Sequence, residues 1–214
     1  LIQLRLEQNQ AVEGDEWSIP RLDYEQVKSV RGFVGVSASP GLRLIPAAVK
    51  DVNEIAVVFF PKKIEGLQAA YRIKESGWEA SLGVERMELA LQVDALHLYS
   101  IGQGIVYGSS VLNYLIGGKP VSELEVLVPA DYANVEFVGR DVRNWKLDEA
   151  ADNSLTNSYT VYFQSTVFGD YTLLATFERQ FNPEGETLAF NGVRPVDVQS
   201  EAGYSILIGK ERFE

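Results

Sequence analysis

The chain reads as all-β, an antiparallel β-sandwich or supersandwich with at most short helical turns. Three observations predict this. Apolar and polar residues alternate with a period of two along nearly the whole length, β-branched and aromatic residues are dense where the alternation is clearest, and Gly, Pro and Asn clusters punctuate the runs. Successive side chains of a strand point to opposite faces, so such alternation buries one face of a sheet and wets the other.

Strands are expected at residues 2–6, 33–38, 42–45, 56–60, 70–73 and 78–84. The alternation of Leu89, Leu91, Val93 and Ala95 predicts another, followed by 105–116, by Leu124, Val126 and Val128 up to Pro129, and by Val135 with Phe137. Between 159 and 177 the pattern predicts a hairpin. Tyr159, Val161 and Phe163 share one face, Phe168-Gly169-Asp170 supplies turn chemistry, and Tyr171, Leu173, Ala175 and Phe177 alternate on the return. A last strand falls at 204–208. Ser39-Pro40-Gly41, Gly102-Gln103-Gly104, Gly117-Gly118-Lys119-Pro120 and Asn191-Gly192 are expected to break strands. Helix competes at 47–54 and 61–70, the latter with Ile64, Leu67 and Ala70 at helical spacing behind Pro61, and each predicts a short turn of helix.

The two ends resemble one another. Residues 1–36 overlay 172–207 without gaps, with Glu7/Glu178, Glu13/Glu184, Gly14/Gly185, Val27/Val198, Ser29/Ser200 and Gly32/Gly203 identical, which predicts an internal repeat. The chain opens on Leu1, without an initiator Met or a leader-like segment, and is read as one module, 1–214, cut from a longer protein. The acidic, Asn-rich stretch 148–158 is the candidate for an internal boundary.

Composition narrows the function classes. With 46% apolar residues the chain can build a core without staples, and the absence of cysteine removes disulfides, thiolate nucleophiles and Cys-ligated metals. A net charge of −11, with no basic stripe, argues against nucleic acid as a partner. The longest apolar run, 55–61, is far short of a membrane-spanning helix, so no membrane span is expected within this segment.

Individual residues give no mark of a reaction. His97 is the only histidine and continues the parity of Leu89 to Ala95, so it is expected to be a packed strand residue rather than a general base. Glu123, Glu125 and Glu136 read as the solvent faces of strands, not as a carboxylate pair across a cleft. Asp148-Glu149 with Asp152-Asn153, and Asn182 with Glu184 and Glu186, could supply oxygens to calcium but lack EF-hand spacing. Gly102-x-Gly104 and Gly32-x-x-Gly35 lack the strand-loop-helix frame of a phosphate cradle. No catalytic, cofactor or metal residue is therefore assigned, and no cofactor is expected. Trp17, Trp78 and Trp145 are the candidate stacking aromatics for a glycan, against the alternative that these rings fill cores.

The segments Val126-Leu127-Val128-Pro129, Val135-Glu136-Phe137-Val138-Gly139-Arg140-Asp141-Val142-Arg143-Asn144-Trp145 and Gly169-Asp170-Tyr171-Thr172-Leu173, with Ala70-Tyr71-Arg72-Ile73 and Gly32-Phe33-Val34-Gly35-Val36, resemble the repeated β-rich regions of large bacterial envelope proteins of uncharacterised function. The resemblance implies an extracytoplasmic location, periplasmic or cell-surface, and carries no catalytic residues to transfer. The expected role is non-catalytic structural or interaction work, with a protein or glycan of the envelope as partner. A carbohydrate-binding accessory domain is the first alternative, and a catalytic β-sandwich hydrolase or lyase the second.

Overall fold

The computed structural model describes residues 16–148 and 155–209. It is all-β: the sole helical element among the described residues is a 3-10 turn at Val57–Phe59. The residues group into two compact units, Leu1–Met87 and Glu88–Glu214, where the sequence suggested one module. The 148–158 stretch, of which 149–154 lie outside the described residues, runs inside the second unit.

The first unit holds β1 (Glu16–Ser18), β2 (Gly32–Ser37), β3 (Leu42–Lys50), β4 (Val52–Glu54), β5 (Leu67–Ile73) and β6 (Glu79–Arg86). They form two antiparallel three-stranded sheets, ordered β1-β6-β3 and β2-β5-β4. The core lies between them, with Tyr71 and Ile73 from β5, Ala80 and Leu82 from β6, and Trp78 between those strands.

Local propensity loses to pairing here. Residues 47–54, expected as helix, are the end of β3 and all of β4: Ala48 and Val49 pair with Ser81 and Ala80, and Asp51 takes a left-handed φ of 56° between the strands. The expected turn of helix at 61–70 is absent as well, because Gly66 at φ +69° redirects the chain and β5 begins at Leu67. Conversely, residues 56–60, expected as strand, hold the 3-10 turn, closed by Phe59 N–H to the Ala56 carbonyl at 2.9 Å and Phe60 N–H to the Val57 carbonyl at 3.1 Å.

The second unit holds β7 (Ala90–Ile101), β8 (Ile105–Pro129), β9 (Ala133–Gly139), β10 (Val142–Leu147), β11 (Thr156–Gln180), β12 (Arg194–Pro195) and β13 (Ser200–Gly209). All seven belong to one sheet, built on the antiparallel pair β8 and β11, each 25 residues long. The hairpin expected around Gly169 does not exist: Val161 and Tyr171 lie on the same strand, and both halves of β11 pair with β8.

What Phe168-Gly169-Asp170 provides is a bend. Pairing runs regularly from Gln180↔Ile105 to Gly169↔Ile116 and resumes in the same register at Tyr162↔Glu123; between them, in 163–168 and 117–122, the ladder is interrupted and only Val167 pairs, out of register, with Val121. The edge strand breaks at the same level, since β9 pairs with the C-terminal half of β11 and β10 with its N-terminal half, joined through Arg140 and Asp141. The sheet therefore folds over on itself. One layer is β9, the C-terminal half of β11, the N-terminal half of β8, β7 and β13; the other is β10, the remaining halves of β11 and β8, and β12. Aromatic contacts close the gap. Phe137 of β9 meets Trp145 and Tyr159 at 5.8 and 5.5 Å, and Phe163 meets Tyr171 at 5.0 Å across the bend. Leu112, Leu173, Val126 and Val161 are buried in the resulting core, each contributing about 1.5–3 kcal/mol of burial.

The expected repeat can be compared only from residue 16 onward, since 1–15, including Gly14, lie outside the described residues. Trp17 is in β1 while its counterpart Leu188 is in no strand; Gly32 opens β2, antiparallel to β5, while Gly203 is in β13, parallel to β7.

Two bend glycines separate backbone strain from close packing. Gly118 (φ +71°) has no room for a Cβ, which would collide with the Glu88 carbonyl, whereas Gly169 (φ +76°) faces open space. Gly169→Ala should cost about 1 kcal/mol from conformation alone. Gly118→Ala should cost clearly more, about 2–4 kcal/mol, because strain and collision combine. Urea midpoints of the two variants check this; equal losses would contradict it.

Candidate functional site: the edge of β13

Two buried polar groups come first, because they bear on catalysis. Leu91, Val93, Ala95, Tyr99 and Ile101 line the inner face of β7, and parity puts His97 among them, 9% exposed. Its Nδ1 shares a 2.7 Å hydrogen bond with Ser110 Oγ on β8. Ser110 is fully buried, and its Oγ also lies 3.5 Å from the Val193 amide that donates to it. Gly192 rests against the imidazole, where any Cβ would overlap the ring. A Ser–His contact of this length resembles half of a nucleophile-base arrangement. Here Ser110 Oγ faces packed protein, so the pair satisfies two buried polar side chains and ties the 191–193 segment to the sheet.

Other phenols and acids behave alike. Burial pushes the Tyr171 phenol up to about 12, and the Tyr114 and Tyr132 phenols up as well, so none acts as a base near neutrality. Glu123, Glu125 and Glu136 are exposed, and Glu125 accepts from Ser158 Oγ at 2.7 Å. In the 182–186 turn, Glu186 binds Arg179 at 3.1 Å and the Asn182 amide at 2.8 Å, while Asn182 Oδ1 accepts from the Glu184 amide. Arg179 also pairs with Asp131 at 2.9 Å. These oxygens are engaged by protein cations and amides rather than converging on a common point, and among the described residues no three His, Cys, Asp or Glu side chains gather as metal ligands.

The three tryptophans differ in exposure and in the unit that holds them. Trp78 is 5% exposed in the core of the first unit, and Trp17 is half-buried against the same core. Trp145 is in the second unit, 37% exposed, with its edge to Phe137. A hollow of about 470 Å³ adjoins Trp78, yet its Arg21 is already bound to the Trp78 carbonyl and to Asp23.

The feature that packing leaves open is β13. After β11 the chain crosses the inner face of the sandwich, where Phe190 packs on Tyr99 at 5.0 Å and the Asn191 carbonyl accepts from Tyr132 Oη at 2.7 Å. It emerges beside β7 and pairs with it in parallel from Ser200↔Gln92 to Gly209↔Ile101. β13 is the end strand of its layer, so one row of its backbone donors and acceptors has no strand beside it among the described residues. Every residue of it is exposed, Tyr204 by 80% and Ile206, Leu207 and Ile208 by about half. Soluble proteins blunt such edges with Lys, Pro or bulges. β13 has none of these, and Glu201 is its single charged residue.

The outer face of the same layer continues the apolar character. Val138, Leu174, Val111, Leu96 and Tyr204 stand side by side on five neighbouring strands. The sequence signalled β13 as a strand at 204–208, but not that both faces and one edge stay uncovered, because edge position depends on distant pairings. No protein-family model matches the chain, and neither curated proteins nor solved structures give a match.

The only histidine gives a clean pH signature. Burial pushes His97 below its ordinary value, with the charge of Glu201 opposing. The unfolded chain therefore takes up a proton that the fold resists. The stabilisation is complete above about pH 6.5 and is lost as pH falls from there through the lower folded-state value. Unfolding free energy should decline as pH falls below about 6.5, and His97→Gln should flatten that decline. Chemical denaturation at stepped pH checks it, and an unchanged slope in the variant would contradict the assignment.

Proposed function

We propose that this chain is a non-catalytic interaction module of a cell-envelope or secreted protein, and that it associates with a second copy of itself through β13. The observation that carries the reading is the uncovered edge, ten residues long, apolar on the face of Ala202, Tyr204, Ile206 and Ile208 and free of Lys, Pro and bulges. An exposed strand edge offers main-chain hydrogen bonds to an added strand, and alternate side chains set specificity. The envelope placement rests on the resemblance of the 126–129, 135–145 and 169–173 segments, with 70–73 and 32–36, to repeated envelope regions.

β13 suits its own copy. An antiparallel two-fold register centred on Ser205 places Tyr204 opposite Ile206, an aromatic and β-branched pairing that favours a sheet. Leu207 then falls opposite Gly203 and Glu201 opposite Gly209. The two Glu201 carboxylates lie at opposite ends, roughly 27 Å apart, well beyond a screening length of about 8 Å. The strand's one charge thus does not oppose pairing, although the chain carries −11. Two-fold closure is also the commonest symmetry of soluble homo-oligomers.

Sedimentation equilibrium of the full chain should give a dimer. Tyr204→Lys with Ile206→Lys should return it to monomer without changing the strand spectrum, since both side chains are exposed, while Phe168→Lys, an exposed residue away from β13, should leave the dimer intact. A wild-type monomer at concentrations well above micromolar, or a dimer that survives both edge lysines, would overturn the proposal.

A further inference from the structure

A hollow of about 450 Å³ in the first unit is lined by Arg31, Gly32, Phe33, Arg72, Ile73 and Lys74. Three cations thus surround one concavity in a chain with 30 acidic and 19 basic residues. The register accounts for it. Phe33 of β2 lies directly opposite Arg72 of β5, and Gly32 opposite Ile73, so Arg31 and Lys74 come next along the two chains. Alternation sends Val34, Tyr71 and Ile73 toward the core and leaves Arg31, Phe33, Arg72 and Lys74 exposed.

Like charges on adjacent strands repel, and the repulsion is relieved by an anion placed among them. Among the described residues no ion pair engages Arg31, Arg72 or Lys74. The ring beside them is held in place: Phe33 is 44% exposed, and Phe60 braces it edge-to-face at 6.2 Å and 81°. A fixed aromatic face next to a guanidinium combines apolar stacking with planar recognition of a carboxylate.

We propose that this hollow binds an acidic sugar unit of a glycan. The sugar ring stacks on Phe33, and its carboxylate takes paired hydrogen bonds from Arg72, with Arg31 and Lys74 supplying further positive charge. A bare anion would need the cations but not the ring. A long, densely charged polymer such as nucleic acid would be repelled by the rest of the chain. The site goes beyond the β13 reading and lies in the other unit, so either can fail alone.

Titration calorimetry of the full chain with a galacturonic acid trisaccharide, its methyl ester, inorganic phosphate and a single-stranded DNA oligomer tests it. The acid trisaccharide should bind at least roughly tenfold more tightly than the ester or phosphate. Arg72→Ala and Phe33→Ala should each weaken it by roughly tenfold or more, with circular dichroism unchanged. Arg72→Lys should restore little, because an ammonium cannot make the paired contact. No binding of the acid, binding indifferent to Phe33→Ala, or tighter binding of phosphate or DNA would each overturn the proposal.

Discussion

The second unit depends on two long strands being bent at the same level. β8 and β11 pair with each other on both sides of the bend, and β9 with β10 follows β11 around it. Folding one sheet over on itself places the apolar parity of both halves inside a single core, so Leu112 and Leu173 of one layer share it with Val126 and Val161 of the other. A bend in one strand alone would break the ladder and strand buried backbone groups without partners. Matched interruptions of equal length keep the register, and with it the facing of every side chain.

From this constraint follows the exposure of β13. The space between the layers must be filled, and the crossing segment after β11 fills it with Phe190, Val193 and Val198. Having crossed the inner face, the chain returns beside β7 and runs parallel to it. The crossing is anchored to buried polar side chains of the sandwich: Ser110 accepts from the Val193 amide, and Tyr132 donates to the Asn191 carbonyl. Core packing thus delivers an apolar strand to the border of the sheet, and the surface left over is where association can occur.

Much of this was legible in the sequence, at the level where local pattern decides. Alternation placed β7 and the core parity of β8 and β11, and it put His97 on the inner face, where it lies. Non-local features were not legible. Gly169 and the Gly117-Gly118 pair look the same in sequence whether they reverse a chain or bend it, and only the pairing of both halves of β11 with β8 distinguishes the two. Residues 47–54 have the alanines of a helix but form strand because β6 offers partners to Ala48 and Val49. The cations around Phe33 are distant in sequence, Arg31 from Arg72 and Lys74, and only the β2–β5 register brings them together. Trp78 illustrates the reverse: an aromatic that composition offers as a binding face is a core residue.

The continuous, bent pairing is tested most directly by cross-linking, because the chain has no cysteine of its own. Directly opposed residues of an antiparallel pair have Cα atoms about 4.5–5.5 Å apart, within disulfide reach. Cysteine pairs introduced at Asn113 with Thr172 and at Glu123 with Tyr162 should each oxidise to an intramolecular disulfide in the folded protein, one in each half of the β8–β11 ladder, while a pair at Gln164 with Leu174 should not. Cross-linking of Gln164 with Leu174, and failure at Glu123 with Tyr162, would instead show a hairpin at Gly169 and contradict the folded-over sheet.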